Sequence, residues 1–165
     1  MKVTGVHNPA AVRHAACCAL VGALLCGSAG ATVLELDEYL QRAQASRQRG
    51  DWQSVASQMA QAVNHPDLPK TGAERVKVLV GYAQAVGVLC QFDEAGRSLQ
   101  SALALSTGNR PLNADVLDEL AALHLAQKQL TQSADFAAQA AQARQGLANA
   151  PPVGRAPYGT RCPPG

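Results

Sequence analysis

The feature that most constrains this chain is an internal repeat. Six positions around Trp52 recur around Phe92 at an offset of 40 residues, and again at a further offset of 38. The matched sets are Ala43, Gly50, Trp52, Val55, Met59 and Ala62, then Ala83, Cys90, Phe92, Ala95, Leu99 and Ala102, then Ala121, Lys128, Leu130, Ser133, Ala137 and Ala140. A repeat of this length predicts supersecondary units that stack and bury their apolar faces against one another.

The composition predicts that each copy is helical. Ala, Leu and Gln dominate the chain, and these residues lose little side-chain freedom in a helix. Aromatic residues make up only 4% of the chain, fewer than strands usually carry. Within each copy the apolar residues follow helical spacing on both sides of a short turn. We therefore expect three helix–turn–helix hairpins.

Proline, glycine and asparagine mark the boundaries of these hairpins. The predicted units span residues 36–69, 76–109 and 114–147, within a domain of residues 32–147. Thr71 with Glu74 fits a capping box, and Asn113 fits an N-cap. Residues 148–165 hold five of the nine prolines and show no apolar periodicity, so we expect a disordered tail there.

The N-terminal 31 residues have the form of a signal peptide. Lys2 and Arg13 precede an uncharged apolar run of about eleven residues, and Ala29-Gly30-Ala31 offers a cleavage site for signal peptidase. A membrane anchor is the alternative, but a span of the bilayer core needs roughly 20 apolar residues. We expect export, cleavage after Ala31 and a periplasmic or secreted product without stable membrane insertion. A lipoprotein signal at Cys26 is disfavoured by Leu25 before it.

Removal of the leader leaves a chain with balanced charge. All twelve acidic residues and twelve of the fourteen basic residues follow Ala31. No basic face for nucleic acid or for an anionic membrane is therefore predicted.

Two cysteines, Cys90 and Cys162, also follow the leader. They would pair only if the tail reached back to the second hairpin, which an oxidising compartment would permit. We expect the simpler arrangement, in which Cys90 is a small buried residue and Cys162 a free thiol.

The repeat resembles the tetratricopeptide repeat family over about Leu36 to Leu147. Gly50-Asp51-Trp52 matches the turn of the family pattern well, and Cys90-Gln91-Phe92 matches it loosely. The structural positions carried by the resemblance are Ala43, Trp52, Ala62, Ala83, Phe92, Ala102, Ala121, Leu130 and Ala140. The resemblance implies an all-α fold of three stacked hairpins that form a short α-solenoid. The spacing of 40 and 38 residues is longer than the family's usual 34.

No pattern of residues predicts catalysis, a metal site or a cofactor. His65 and His124 stand without Cys or His at ligand spacing. Adjacent carboxylates, Asp93-Glu94 and Asp118-Glu119, point about 100° apart on a helix and do not converge as an acid–base pair. We expect both pairs to lie on solvated faces.

The resemblance implies that the first helix of each unit lines a groove that holds a protein or peptide partner. The residues at those positions are Asp37, Leu40, Gln44, Arg47, Lys77, Val80, Gln84, Asp115, Asp118 and Ala122. The resulting hypothesis is an exported, non-catalytic interaction scaffold or assembly adaptor. The alternatives are an accessory subunit of an enzyme or envelope complex and a self-assembling structural protein.

Overall fold

The computed structural model describes residues 34–147 together with Tyr158 and Cys162. These residues form six α-helices and no strand, so the expectation of an all-α fold is confirmed for them. The helices are α1 (Leu36–Gln48), α2 (Trp52–Val63), α3 (Ala73–Val88), α4 (Phe92–Ser106), α5 (Arg110–Ala126) and α6 (Leu130–Arg144). The predicted signal peptide and most of the predicted tail lie outside the described residues.

Consecutive helices pack against each other along the whole series, and α3 also contacts α5. Three short turns join α1 to α2, α3 to α4 and α5 to α6. Turns this short leave the helices of each hairpin antiparallel. The odd-numbered helices α1, α3 and α5 thereby share one side of the domain.

The three turns within hairpins have the same backbone conformation. Gly50, Cys90 and Lys128 each adopt a left-handed conformation, with φ of 71°, 67° and 62°. The N–H of the following residue donates to a carbonyl five residues earlier in all three turns, at 2.9–3.0 Å. This hydrogen bond belongs to the Schellman motif that ends many helices. The sequence offsets of 40 and 38 therefore superimpose equivalent turns.

Two helices begin at residues other than those the sequence predicted, α3 one residue later and α5 four residues earlier. Thr71 does not cap α3, because Gly72 is the N-cap residue and no side chain caps the helix. Asn113 does not cap α5 either, because it lies inside the helix. The N-cap is Asn109, whose side chain accepts a hydrogen bond of 3.2 Å from the Leu112 N–H. Pro111 in the first turn suits this earlier start, because its missing N–H has no helical partner there anyway.

The six alanines at the first and last positions of the repeat all lie in helix contacts. Their exposed fractions are 5% or less: Ala43, Ala62, Ala83, Ala102, Ala121 and Ala140. Small side chains at these positions let the helix axes approach closely, so the apolar residues around them fill two connected clusters. One cluster joins α1, α2 and α3, and the other joins α3, α4 and α5.

The bulky residues at the turns are less uniform. Trp52 and Phe92 are half-buried and pack against the two clusters. Leu130 was expected to pack in the same way, but it is 66% exposed. The physical reason is that no helix follows α6 among the described residues, so nothing covers this end of the hairpin.

Two described residues of the expected tail pack on the helices. Tyr158 is 9% exposed and belongs to the cluster of α3, α4 and α5. Cys162 forms a disulfide with Cys90, across a separation of 72 residues. The expectation of unpaired cysteines was therefore wrong. It failed because helical periodicity gave no sign that an apolar slot on α3 would accept Tyr158 and bring Cys162 to Cys90.

Candidate functional site

A cavity of about 380 Å³ opens between the odd-numbered helices. Its apolar wall comes from Ala43, Met59, Val80, Gly81 and Leu112, and its polar wall comes from Gln44, Arg47, Lys77, Gln84 and Asp115. The volume lies within the range of about 300–1,000 Å³ that is typical of ligand sites. Mostly apolar walls with a few charged groups suit a peptide that buries one or two apolar side chains.

Six of the ten predicted groove residues line this cavity. They are Gln44, Arg47, Lys77, Val80, Gln84 and Asp115. They come together because α1, α3 and α5 each present a face to the cavity: α3 contacts α5, and the Arg47 side chain of α1 reaches Gln84 of α3. The sequence missed Met59 and Leu112, which reach the cavity from the second helix of the first hairpin and from the first turn of α5.

The other four predicted groove residues do not line the cavity. Asp37 is exposed in the first turn of α1. Leu40 and Ala122 are half-buried and pack against the apolar clusters. Asp118 is bound by Arg144 of α6 at 2.6 Å, so its carboxylate fastens the last two helices together.

Arg47 is the half-buried cation of the cavity. Its Nη1 donates to Gln84 Oε1 at 2.8 Å, and its guanidinium lies 5.6 Å from the ring centroid of Trp52. Burial lowers the pKa of Arg47, and the negative charge of Glu119 opposes that effect. An arginine retains its charge at any physiological pH, so Arg47 places a fixed positive charge at the cavity wall.

A chain of hydrogen bonds continues from Arg47 into the core. Gln84 Nε2 donates to Glu119 Oε1 at 2.8 Å, and Tyr158 Oη donates to Glu119 Oε2 at 2.6 Å. The chain therefore joins α1, α3, α5 and the C-terminal region through four side chains. Each buried polar group in it has a partner, which offsets the cost of removing it from water.

Glu119 is 1% exposed, so the expectation of a solvated face was wrong for this residue. Burial raises the pKa of its carboxyl, whereas the hydrogen bonds from Tyr158 and Gln84 lower it. The sequence carried a signal that could have located it. Glu119 follows Val116 by three residues and precedes Leu123 by four, which places it on the buried stripe of α5.

Asp115 and Asp118 meet Arg144 at the outer edge of the site. Arg144 Nη2 lies 3.1 Å from Asp115 and 2.6 Å from Asp118. The hydrogen bond that Arg144 donates to Asp118 raises the pKa of Arg144. Because this ion pair holds α6 against α5, both acids contribute to the geometry of the third hairpin.

The two histidines among the described residues lie away from the cavity. His65 is buried, and its Nε2 lies 2.9 Å from the carbonyl oxygen of Leu34. His124 stacks on Phe136 with the ring centroids 5.1 Å apart. Within the described region, no three His, Cys, Asp or Glu side chains come close enough to hold a metal ion.

None of the helices in the described part of the chain has the length and apolar character to span a membrane. In comparisons with known proteins, no family model, no curated protein and no solved structure matches the chain.

Proposed function

We propose that this protein is an exported, non-catalytic binding module that holds a peptide segment of a partner protein between α1, α3 and α5. The observation that carries the proposal is the cavity in which Arg47, Lys77 and Val80 meet from two different helices. The repeat register picked out these residues from the sequence alone. Because they prove to be neighbours in space, the cavity favours a groove built from equivalent positions of successive units.

The repeated turns support the proposed relation to tetratricopeptide repeats. In each of the three hairpins, the first helix is followed at the same position by a residue in the left-handed conformation, and the same hydrogen bond closes the turn. Repeat proteins of this kind use the surface shared by successive units for binding. The proposal takes that family property as an expectation for this chain.

Export is also part of the proposal. The leader-like sequence of residues 1–31 motivates it, and the Cys90–Cys162 disulfide supports it, because such bonds persist in oxidising compartments. The test is fractionation of the organism that makes the protein, followed by N-terminal sequencing of the purified chain. An uncleaved chain that begins at Met1 and is recovered from the reducing compartment would contradict export.

The binding proposal is tested by site-specific photo-crosslinking in the full chain. A photoreactive phenylalanine analogue at Lys77 stands at the cavity, whereas the same analogue at Gln61 stands on the exposed face of α2. We expect discrete adducts from position 77 that mass spectrometry identifies as one partner segment. Position 61 serves as the matched control and should give none.

A second change makes this experiment specific for the cavity. Val80→Glu places a charge on the apolar wall and should abolish the adducts at position 77. Lys70→Glu changes charge at an exposed position outside the cavity and should leave them unchanged. Identical adducts from positions 77 and 61, or adducts that survive Val80→Glu, would reject the proposed groove.

Self-association is a second candidate, favoured by one observation. Leu125 and Leu130 are 52% and 66% exposed, and both lie near the turn that joins α5 to α6. Two copies that paired at this end would cover both leucines. Light scattering coupled to size-exclusion chromatography separates the candidates: Leu130→Glu should convert a dimer into a monomer, and a wild-type monomer would exclude self-association.

A further inference from the structure

Tyr158 occupies a slot in the helical domain as a ligand would. Its ring belongs to the core cluster of α3, α4 and α5, although the residue follows the end of α6 by more than a dozen positions. The hydroxyl donates to Glu119 Oε2 at 2.6 Å. The slot thus supplies an apolar wall for the ring and a buried acceptor for the hydroxyl.

The slot has the shape of an aromatic ring because α3 carries a glycine there. A methyl group at Gly87 would overlap two ring carbons of Tyr158. The same methyl group would also touch the side chain of Ala95 on α4. Shape and polarity together therefore fit a phenol side chain.

The slot is linked to the cavity of the candidate site through the Gln84 side chain. Gln84 lines the cavity and also donates to Glu119, which accepts from Tyr158. Gly87 lies about one helical turn beyond Gln84 on α3. A peptide bound along α3 would therefore meet the cavity first and the slot next.

Among the described residues, one disulfide bond keeps Tyr158 close to the slot. Cys162 is bonded to Cys90, which lies three residues after Gly87, just beyond the end of α3. This tether keeps the local concentration of Tyr158 near the slot high.

We propose that the slot is a binding site for a tyrosine-bearing peptide, and that the C-terminal segment fills it as an intramolecular ligand while the disulfide is intact. The inference rests on the proposed binding function and deepens it by naming the side chain recognised.

Reduction of the Cys90–Cys162 disulfide by a dithiol opens the site. One thiolate of the dithiol attacks a sulfur of the Cys90–Cys162 bond and expels the other cysteine as a thiolate. The second thiolate of the dithiol then attacks the reductant's own sulfur in the resulting mixed disulfide and expels the remaining cysteine as a thiolate. The products are two cysteine thiols in this chain and an oxidised, cyclic disulfide reductant.

The test measures whether a peptide can replace Tyr158. The probe is a fluorescein-labelled synthetic peptide with the sequence of residues 154–165 and serine in place of Cys162, followed by fluorescence anisotropy. We expect no binding to the oxidised protein and clear binding to the full chain with Tyr158→Ala, Cys90→Ser and Cys162→Ser. Reduced wild-type protein should bind the peptide more weakly than this variant, because its own Tyr158 competes.

Two matched peptides identify what is recognised. Alanine in place of the tyrosine should weaken binding by at least about tenfold, because the ring then no longer fills the slot. Phenylalanine should bind with intermediate affinity, because it fills the slot but leaves Glu119 Oε2 without its donor. Equal affinities for the tyrosine and alanine peptides would overturn the slot as a tyrosine site.

The reduced wild-type arm requires no mutation and so does not depend on a variant that folds. Peptide binding that is equally absent before and after reduction would overturn the redox control. Gly87→Ala in the triple variant should abolish binding, with circular dichroism to verify the helices. Crosslinking at Lys77 reports on the cavity separately, so loss of peptide exchange with intact crosslinks rejects only the slot.

Discussion

The second and third hairpins share one repeat register but differ in burial. At equivalent positions of their second helices, Leu99 is fully buried whereas Ala137 is exposed. Phe92 is half-buried at the start of α4, and Leu130 is 66% exposed at the start of α6. The turn before both helices has the same hydrogen bond.

The difference shows that burial in this chain depends on the next unit. α5 covers the face of α4 that carries Leu99, whereas no described helix covers the corresponding face of α6. The sequence of α6 fits this position, because Ala, Gln and Ser occupy much of it. The repeat register determines where the turns lie. The packing of a neighbouring helix determines which side chains are buried.

The largest expected effect comes from the same truncation in both hairpins. Leu99→Ala should lower the free energy of unfolding by about 2–5 kcal/mol, because it leaves a cavity in a fully buried place. Leu130→Ala should change it by less than about 0.5 kcal/mol, because the side chain is mostly in water. Urea unfolding of both variants measures the comparison, and equal losses would show that α6 is covered in solution.

The disulfide is the next largest contribution, and it ties the C-terminal region to the second hairpin. Changing both Cys90 and Cys162 to serine should cost about 2–4 kcal/mol, because the bond restricts the unfolded chain over a separation of 72 residues. Dithiothreitol should lower the free energy of unfolding of the wild-type protein by a similar amount, and its melting temperature should fall accordingly. Dithiothreitol should leave the double serine variant unchanged, and a wild-type protein insensitive to the reductant would contradict the bond.

Tyr158→Phe removes a hydrogen bond to Glu119, a residue of the third hairpin. Loss of a donor to a buried acceptor should cost about 1–3 kcal/mol. Tyr82→Phe is the matched control, because its hydroxyl also donates to a glutamate, Glu94, at 3.2 Å but near the surface. The control should lose less, which separates the buried hydrogen bond from the general effect of deleting a hydroxyl.

The cost of Tyr158→Phe should also depend on pH. Because the folded pKa of Glu119 is raised, its stabilising contribution is complete below the ordinary value of about 4.3 and is lost as the pH rises through the raised pKa. The Tyr158 hydrogen bond lowers that pKa, so its removal should cost more at about pH 7 than at about pH 4. Arg47 and Asp118 also act on this carboxyl, in opposite directions. In a Glu119→Gln background the cost should be the same at both values.

The smallest effect tests the feature that the hairpins share. Lys128→Gly should raise the free energy of unfolding by roughly 1 kcal/mol, because lysine is strained in the left-handed conformation and glycine is not. Gly50→Ala at the equivalent turn should lower it by a similar amount. Chemical denaturation detects both shifts, and changes of the same sign would contradict the equivalence of the turns.

Much of the helical framework was predictable because local rules decide it. Helical spacing and the repeat register located the three turns, and the alanines at the first and last positions of the register are all buried, whereas Ala137 between them is exposed. Helix starts were predicted less well, since Gly72 and Asn109 compete with several nearby residues that also cap helices. Six of the ten predicted groove residues line one cavity, because α1, α3 and α5 each present equivalent positions to it.

The sequence by itself determined the periodic spacing, and with it the helices, their turns and the small residues between them. Only the tertiary structure decided that Glu119 is buried, that Leu130 is exposed and that Tyr158 fills a slot beside Gly87. Helix formation depends on residues a few positions apart, so it can be read along the chain. Burial and disulfide pairing depend on which distant segments pack together. No periodic pattern in the sequence indicates that Cys90 pairs with Cys162.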